Sequence, residues 1–218
     1  FHGAVLARAN LTSANFTGAN LTDCNLGGSV CHETIFDQAT LLRTKLSKSD
    51  LKFSEFKQAN IDQPEVLDMT LEGVNFEGAS INSWPFLEMS ISNVTFTKAT
   101  LKSCSFINCR LNACDFIRAD LPSTTWANCN LSNIDFTQSN MEKNCFVFEE
   151  DKPCEMRDLI FKGAKVMTSN LQKMTFNRAD FSGADISHAN FTGSSLQEAK
   201  LDRCMAYRTQ FQKADLTN

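Results

Sequence analysis

The sequence predicts a solenoid, a single elongated body built from one short repeat rather than from independent helices and strands. Three observations carry this reading. Large apolar residues stand at every fifth position from Phe1 to Leu216, and of these 44 positions only Cys31, Asp151 and Ala206 are not Leu, Phe, Ile, Val, Met or Trp. Sixteen of the eighteen Phe fall on the series, whose phase never changes. Residue types also sort at twenty: Phe16, Phe36, Phe56, Phe76, Phe96, Phe116 and Phe136 make one column, and Ala19, Ala39, Ala59, Ala79, Ala99 and Ala119 another. A period of five matches neither a helix nor a strand, so the repeat outranks local periodicity.

The unit itself comes next. The residue two before each apolar centre is usually small, as in Ala4, Ala9, Ala14, Ala19, Cys24 and Ser29, and the residue between is often Asn or Asp. Ala9-Asn10-Leu11-Thr12-Ser13, Ala14-Asn15-Phe16-Thr17-Gly18 and Ala184-Asp185-Ile186-Ser187-His188 resemble the A-(N/D)-L/F-x-x unit of the pentapeptide-repeat family, and the likeness runs along the whole chain. It implies an all-β fold, a right-handed quadrilateral β-helix with four pentapeptides per coil and the apolar and small residues pointing inward. The columns at twenty agree with four units per coil. In this frame the Ala column resumes at Ala179 and Ala199 after Ser139 and Leu159. Coils about 4.8 Å apart let the Phe rings stack in an offset manner, and about eleven of them make a rod of roughly 50 Å. The unbroken phase argues for one domain over residues 1–218 with no linker.

Two places disturb the pattern. Pro64 holds an inward small position within Asp62-Gln63-Pro64-Glu65, where it is expected to remove a ladder donor. Between Asn144 and Pro153, Asn144, Glu149 and Asp151 occupy inward positions, yet the phase resumes at Met156, Phe161 and Phe176 as if nothing had been inserted. The expectation is that residues 147–153 bulge outward in place of one regular face, because charges there cannot stay buried unpaired. The first and last residues are repeat residues with no polar cap, as expected for a piece of a longer protein.

Several chemistries find little material. Seven of the nine cysteines (Cys24, Cys104, Cys109, Cys114, Cys129, Cys154 and Cys204) sit at the inward small position and read as core residues. Cys109 and Cys129 stack on adjacent coils as the one pair worth checking for a bond. Cys104, Cys109 and Cys114 lie on successive faces with no His, which disfavours zinc. Unpaired buried thiols fit a reducing compartment, the bacterial cytosol or a host cytosol for a secreted effector. No apolar run approaches a membrane span. Asn-x-Ser/Thr tripeptides at Asn10, Asn15, Asn20, Asn93, Asn130 and Asn190 are a by-product of the repeat. His2, His32 and His188 fall on different faces, and Gly27-Gly28 lacks the context of a phosphate loop, so neither catalytic nor cofactor residues are expected. Glu149, Glu150 and Asp151 read as a solvated acidic loop.

Charge and surface hydrophobicity divide the remaining functions. Some pentapeptide-repeat proteins mimic DNA and bind type II topoisomerases through an acidic rod, which makes DNA gyrase the second candidate partner. Here 21 basic residues face 25 acidic ones, and Lys57, Lys98, Arg118, Arg157 and Arg178 share a face with Glu55, Glu77, Asp115, Asp135, Glu155 and Asp158. No basic stripe favours direct nucleic-acid binding. The residue after each centre on one face is apolar, reading Leu67, Leu87, Ile107, Ala127, Val147 and Met167, with Phe148 and Tyr207 as extensions. A contiguous apolar stripe of this kind marks a contact surface for a protein partner, a flanking domain or a second copy. The chain therefore reads as a non-enzymatic interaction scaffold, with a DNA-mimicking topoisomerase binder as the second reading and a targeting or substrate-binding module of a bacterial effector or other multidomain protein as the third.

Overall fold

The computed structural model describes residues 1–149 and 154–217. It is a right-handed quadrilateral β-helix whose ladders are all parallel. One face carries the ladder Thr40, Asn60, Ser80, Thr100 and another Pro85, Ser105, Thr125, Cys145. A third runs Ser90, Arg110, Asn130 and a fourth Asn15, Ile35, Glu55, Asn75, Thr95, Asp115. Each rung is twenty residues from the last, so four pentapeptides close one coil and the resemblance in the repeat unit is matched by the geometry.

Each residue of the unit has a physical task. The apolar centre lies inward between two outward neighbours, which gives strands of about three residues such as Thr40–Leu42 and Thr125–Ala127. The corner is made two residues after the centre, where φ is positive at Arg8, Ser13, Asp23 and their equivalents along the rod, or at a glycine such as Gly18 or Gly78. The small residue closes the turn by donating its N–H to the preceding centre, as Ala9 does to Leu6 at 3.1 Å. Asn or Asp before the centre locks the following residues: Asn15 Oδ1 accepts from Thr17 N at 2.8 Å, Asp135 Oδ1 from Thr137 N at 2.8 Å and Asn190 Oδ1 from Thr192 N at 3.0 Å. At Asn10, Asn15, Asn20 and Asn190 the asparagine of the tripeptide is therefore turn chemistry.

Many hydroxyls and thiols at the small position bond the carbonyl 23 residues back, while Ser49, Ser54 and Thr124 bond the carbonyl three residues back. Thr34 Oγ1 donates to Leu11 O at 2.8 Å, Ser194 Oγ to Leu171 O at 2.7 Å and Cys129 Sγ to Phe106 O at 3.3 Å. Inside, nine Phe rings from Phe16 to Phe181 form one uninterrupted stack, with adjacent centroids 4.5–5.4 Å apart. A second stack runs Phe86, Phe106, Trp126, Phe146 at 4.5, 4.3 and 5.7 Å.

The structure corrects the sequence reading between coils. Leu131 pairs with Met156, Asp135 with Ile160, and Asn140 with Lys165, so this coil holds 25 residues. One pentapeptide has been added at a corner; no regular face has been replaced. Ser169 shows the same jump, its Oγ reaching Met141 O at 2.8 Å, 28 residues back rather than 23. The Phe column accordingly continues at Phe161 and Phe181, and the Ala column at Ala164 and Ala184, instead of at Ala179 and Ala199. Of the expected bulge, Val147 is strand, Glu149 is exposed, and residues 150–153 lie outside the described residues. Asn144 is buried but fully engaged: Oδ1 accepts from Trp126 Nε1 and Nδ2 donates to Leu121 O, both at 2.8 Å.

Pro64 is buried and costs only a turn bond, because Glu65 N still donates to Thr44 O at 2.9 Å. The ladder donor is missing one coil later, at Pro85, which begins the edge strand Pro85–Leu87. The small position also accepts large residues: Trp84 is fully buried there, stacked on Phe86 at 4.9 Å and edge-on to Phe76 at 5.8 Å.

Candidate protein-interaction face

Strands Pro85–Leu87, Ser105–Ile107, Thr125–Ala127 and Cys145–Val147 form one parallel sheet, in which Leu87, Ile107, Ala127 and Val147 are direct cross-strand neighbours. Their side chains point outward because the middle residue of each strand is the inward aromatic of the second stack. Leu87 and Val147 are exposed at 43% and 44%, while Ile107 and Ala127 are half-buried by their neighbours. Leu67, exposed at 60%, lies one coil below, beyond the ladder break at Pro85. The apolar side chains thus stand on a wall whose spacing is set by stacked rings.

The added pentapeptide changes the far end of this face. The residue above Val147 is Gln172, since Cys145 bridges to Asn170. Met167 lies on the neighbouring face, its carbonyl receiving Lys143 N at 2.9 Å. Tyr207 belongs to that same neighbouring column, its carbonyl accepting His188 N at 2.8 Å. The structure therefore brings together Leu67, Leu87, Ile107, Ala127 and Val147, and separates Met167 and Tyr207 from them. Phe148 packs partly against the core at the start of the addition and borders a cavity of about 220 Å³ with Phe146, Val147, Asn170, Gln172 and Lys173.

Asparagines hold both ends of the addition. Asn128 Oδ1 accepts from Glu149 N at 2.9 Å while its Nδ2 donates to Glu149 Oε1 and to Asn108 Oδ1, each at 3.2 Å. Asn130 Oδ1 accepts from Glu155 N at 2.9 Å. Beside these residues a groove of about 580 Å³ runs along the corner, lined among others by Met89, Cys109, Arg110 and Cys154.

Charges on the other faces are paired locally. Lys57 lies 3.1 Å from Glu55, Lys98 3.4 Å from Glu77, Arg157 3.5 Å from Glu155 and Arg178 3.1 Å from Glu198. His32 Nε2 is 2.7 Å from Asp50, whose carboxyl is held below its ordinary value by this contact and the Lys52 N–H, against the opposing effect of burial. His2 approaches Asp23 at 3.7 Å and His188 meets the Tyr207 ring edge-on, so the three histidines serve separate surface contacts. Among the described residues no three His, Cys, Asp or Glu gather where they could hold one metal ion, and all nine cysteines are free. Among them, too, no helix is long and apolar enough to cross a membrane.

A family model described as pentapeptide repeats matches eight copies, over residues 1–28, 24–63, 90–125, 114–147, 160–197 and 184–218. No curated protein sequence matches the chain. Among solved structures, HetL, a pentapeptide repeat protein involved in heterocyst differentiation regulation from the cyanobacterium Nostoc sp. strain PCC 7120, is 19% identical, covering 98% of this chain and 90% of its own with a TM-score of 0.40. Full-length QnrB1, a plasmid-mediated fluoroquinolone resistance protein, is 13% identical over 92% of this chain and 90% of its own, at a TM-score of 0.37. Rfr23 from the cyanobacterium Cyanothece 51142 is 27% identical but covers 44% of this chain and 62% of its own, at a TM-score of 0.23. With its repeat matched by the family model over most of its length, the chain belongs to the pentapeptide-repeat family.

Proposed function

We propose that this protein is a non-enzymatic scaffold that docks a protein partner through the outward ladder Leu67, Leu87, Ile107, Ala127 and Val147, with Phe148 at its upper edge. The observation that carries the reading is an in-register apolar ladder on a rod whose other outward positions are mostly polar or charged. Apolar side chains repeated at coil spacing make a continuous strip of about 19 Å from Leu67 to Val147. Such a strip costs solvation unless something covers it. The aromatic stack behind it fixes the spacing beforehand, which reduces the ordering cost of association. The strip alone is smaller than a standard interface, so the flanking polar positions form the rim.

The local pairing of Glu55, Glu77, Glu155 and Glu198 with Lys or Arg supports a mixed surface over an acidic DNA-like one. The separated histidines support binding over catalysis.

The test is a photo-cross-linking residue placed at Leu87 or Ile107, and as a control at Lys102, exposed in the same region on an adjacent face. In extracts of the source cell, a discrete protein adduct is expected from positions 87 and 107, absent from 102, and lost when the other ladder residue is changed to Asp. Equal adducts from all three positions, or none from the ladder, would refute the reading.

A further inference from the structure

The column of inward small positions at the groove corner is built of sulfur. With the added pentapeptide counted, it reads Met69, Met89, Cys109, Cys129, Cys154 and Met174 on six successive coils, then Ser194. Ladder pairing of Ser90 with Arg110 and Arg110 with Asn130 stacks Met89, Cys109 and Cys129, and pairing of Leu131 with Met156 seats Cys154 above Cys129. Cys109 Sγ donates to Phe86 O at 3.2 Å and Cys129 Sγ to Phe106 O at 3.3 Å, so the two thiols repeat the same placement one coil apart. Both are almost wholly buried, yet Cys109 and Cys154 border the 580 Å³ groove together with Arg110.

From this stacking we propose that Cys109 and Cys129 form a two-coordinate site for a monovalent thiophilic d10 cation, copper(I) or silver(I), entering from the groove. The coil spacing of about 4.8 Å is close to the span of two in-line metal–thiolate bonds, taking the zinc–thiolate length of about 2.3 Å as the guide. Thiolate and thioether donors select such soft ions, and a linear pair needs no third ligand. Binding replaces two S–H protons by one M⁺, leaving a bis-thiolate of net charge −1 beside Arg110, with two protons released to solvent. Cys104 and Cys114 are equally buried but stack between Trp84 and Thr124 and between Val94 and Ile134, so no thiol faces them.

The experiment is anaerobic competition of the protein with bicinchoninate for copper(I). The wild type is expected to remove one equivalent, releasing two protons per copper. Cys109→Ser and Cys129→Ser should each weaken binding by more than about 100-fold, beyond what loss of a merely supporting group causes. Serine is tolerated in this slot, since Ser194 makes the same carbonyl bond, and circular dichroism confirms that each variant folds. Cys104→Ser and Cys114→Ser should bind like the wild type. Absence of binding by the wild type overturns the proposal, as does a stoichiometry that follows total cysteine or equal loss in the Cys104 and Cys114 variants.

Discussion

Replacing Phe116 by Ala should be among the most damaging single changes in the rod. Its ring is fully buried and lies stacked between Phe96 at 4.6 Å and Phe136 at 5.1 Å. It also meets Phe106 and Trp126 edge-on at 6.1 and 5.8 Å. Loss of the buried side chain and the gap left behind cost about 3–5 kcal/mol, and the four ring contacts place Phe116 at the upper end of that range. Coils above and below cannot collapse into the gap, because their spacing is held by backbone ladders on all four faces. Urea unfolding followed by far-UV circular dichroism should therefore show a loss of about 4–5 kcal/mol at an unchanged m-value. Phe211, half-buried with a single stacked neighbour at 5.4 Å, should lose far less on the same substitution, about 1–2 kcal/mol. Equal losses at the two positions, or a Phe116 variant within about 1 kcal/mol of wild type, would refute the stacked-column account.

Further outcomes follow from particular contacts. Trp84→Phe should stay within about 1 kcal/mol of wild type, since Trp84 Nε1 is buried without a hydrogen-bond partner. Trp126→Phe strands Asn144 Oδ1 and should cost about 2–3 kcal/mol; equal urea midpoints for the two variants would contradict this. Deleting residues 149–153 returns the long coil to twenty residues and should leave a folded rod within about 1 kcal/mol of wild type, whereas deleting only 150–152 breaks the five-residue phase and should unfold it. Should both deletions melt alike, the added pentapeptide would not be an addition to a regular coil.

The last of these outcomes concerns pH. Asp180 is nearly buried; burial alone would raise its carboxyl, but hydrogen bonds from Ser182 and Lys162 hold it below the ordinary 3.8. Its contribution is therefore complete above about pH 4 and is lost as pH falls through the lower folded value. Asp180→Asn should lower stability at neutral pH and flatten the acid limb of the stability curve; an unchanged acid limb would exclude this role.

The five-residue phase made the coil, the inward positions and the Phe stack legible, because each pentapeptide makes its own corner and buries its own centre. What it hid was the number of pentapeptides per coil. Twenty-five is also a multiple of five, so an added unit leaves every residue's inward or outward direction unchanged while moving all later residues one face around. The signal was present in the columns: at twenty the Ala series meets Leu159 and the Phe series Met156, whereas at 25 they meet Ala164 and Phe161. Reading Met167 and Tyr207 into the apolar face follows from that same step, and so does missing the stack of Cys154 on Cys129. Pro64 and Pro85 differ by one position in the unit, and only the second removes an N–H that serves the ladder rather than the turn. That Trp84 fits a small slot is a property of the surrounding packing and has no signature in the repeat.

The central claim is that inward columns carry the fold while the Leu67 to Val147 ladder is left for a partner. Its most direct test is the thermal melt of the double variant Leu87→Asp, Ile107→Asp. Loss of outward cross-strand contacts costs about 1–2 kcal/mol, which in a chain of this size lowers Tm by roughly 2–8 °C with an unchanged far-UV spectrum. A double variant that fails to fold, or melts as low as Phe116→Ala, would show that the ladder belongs to the core and is not a free face.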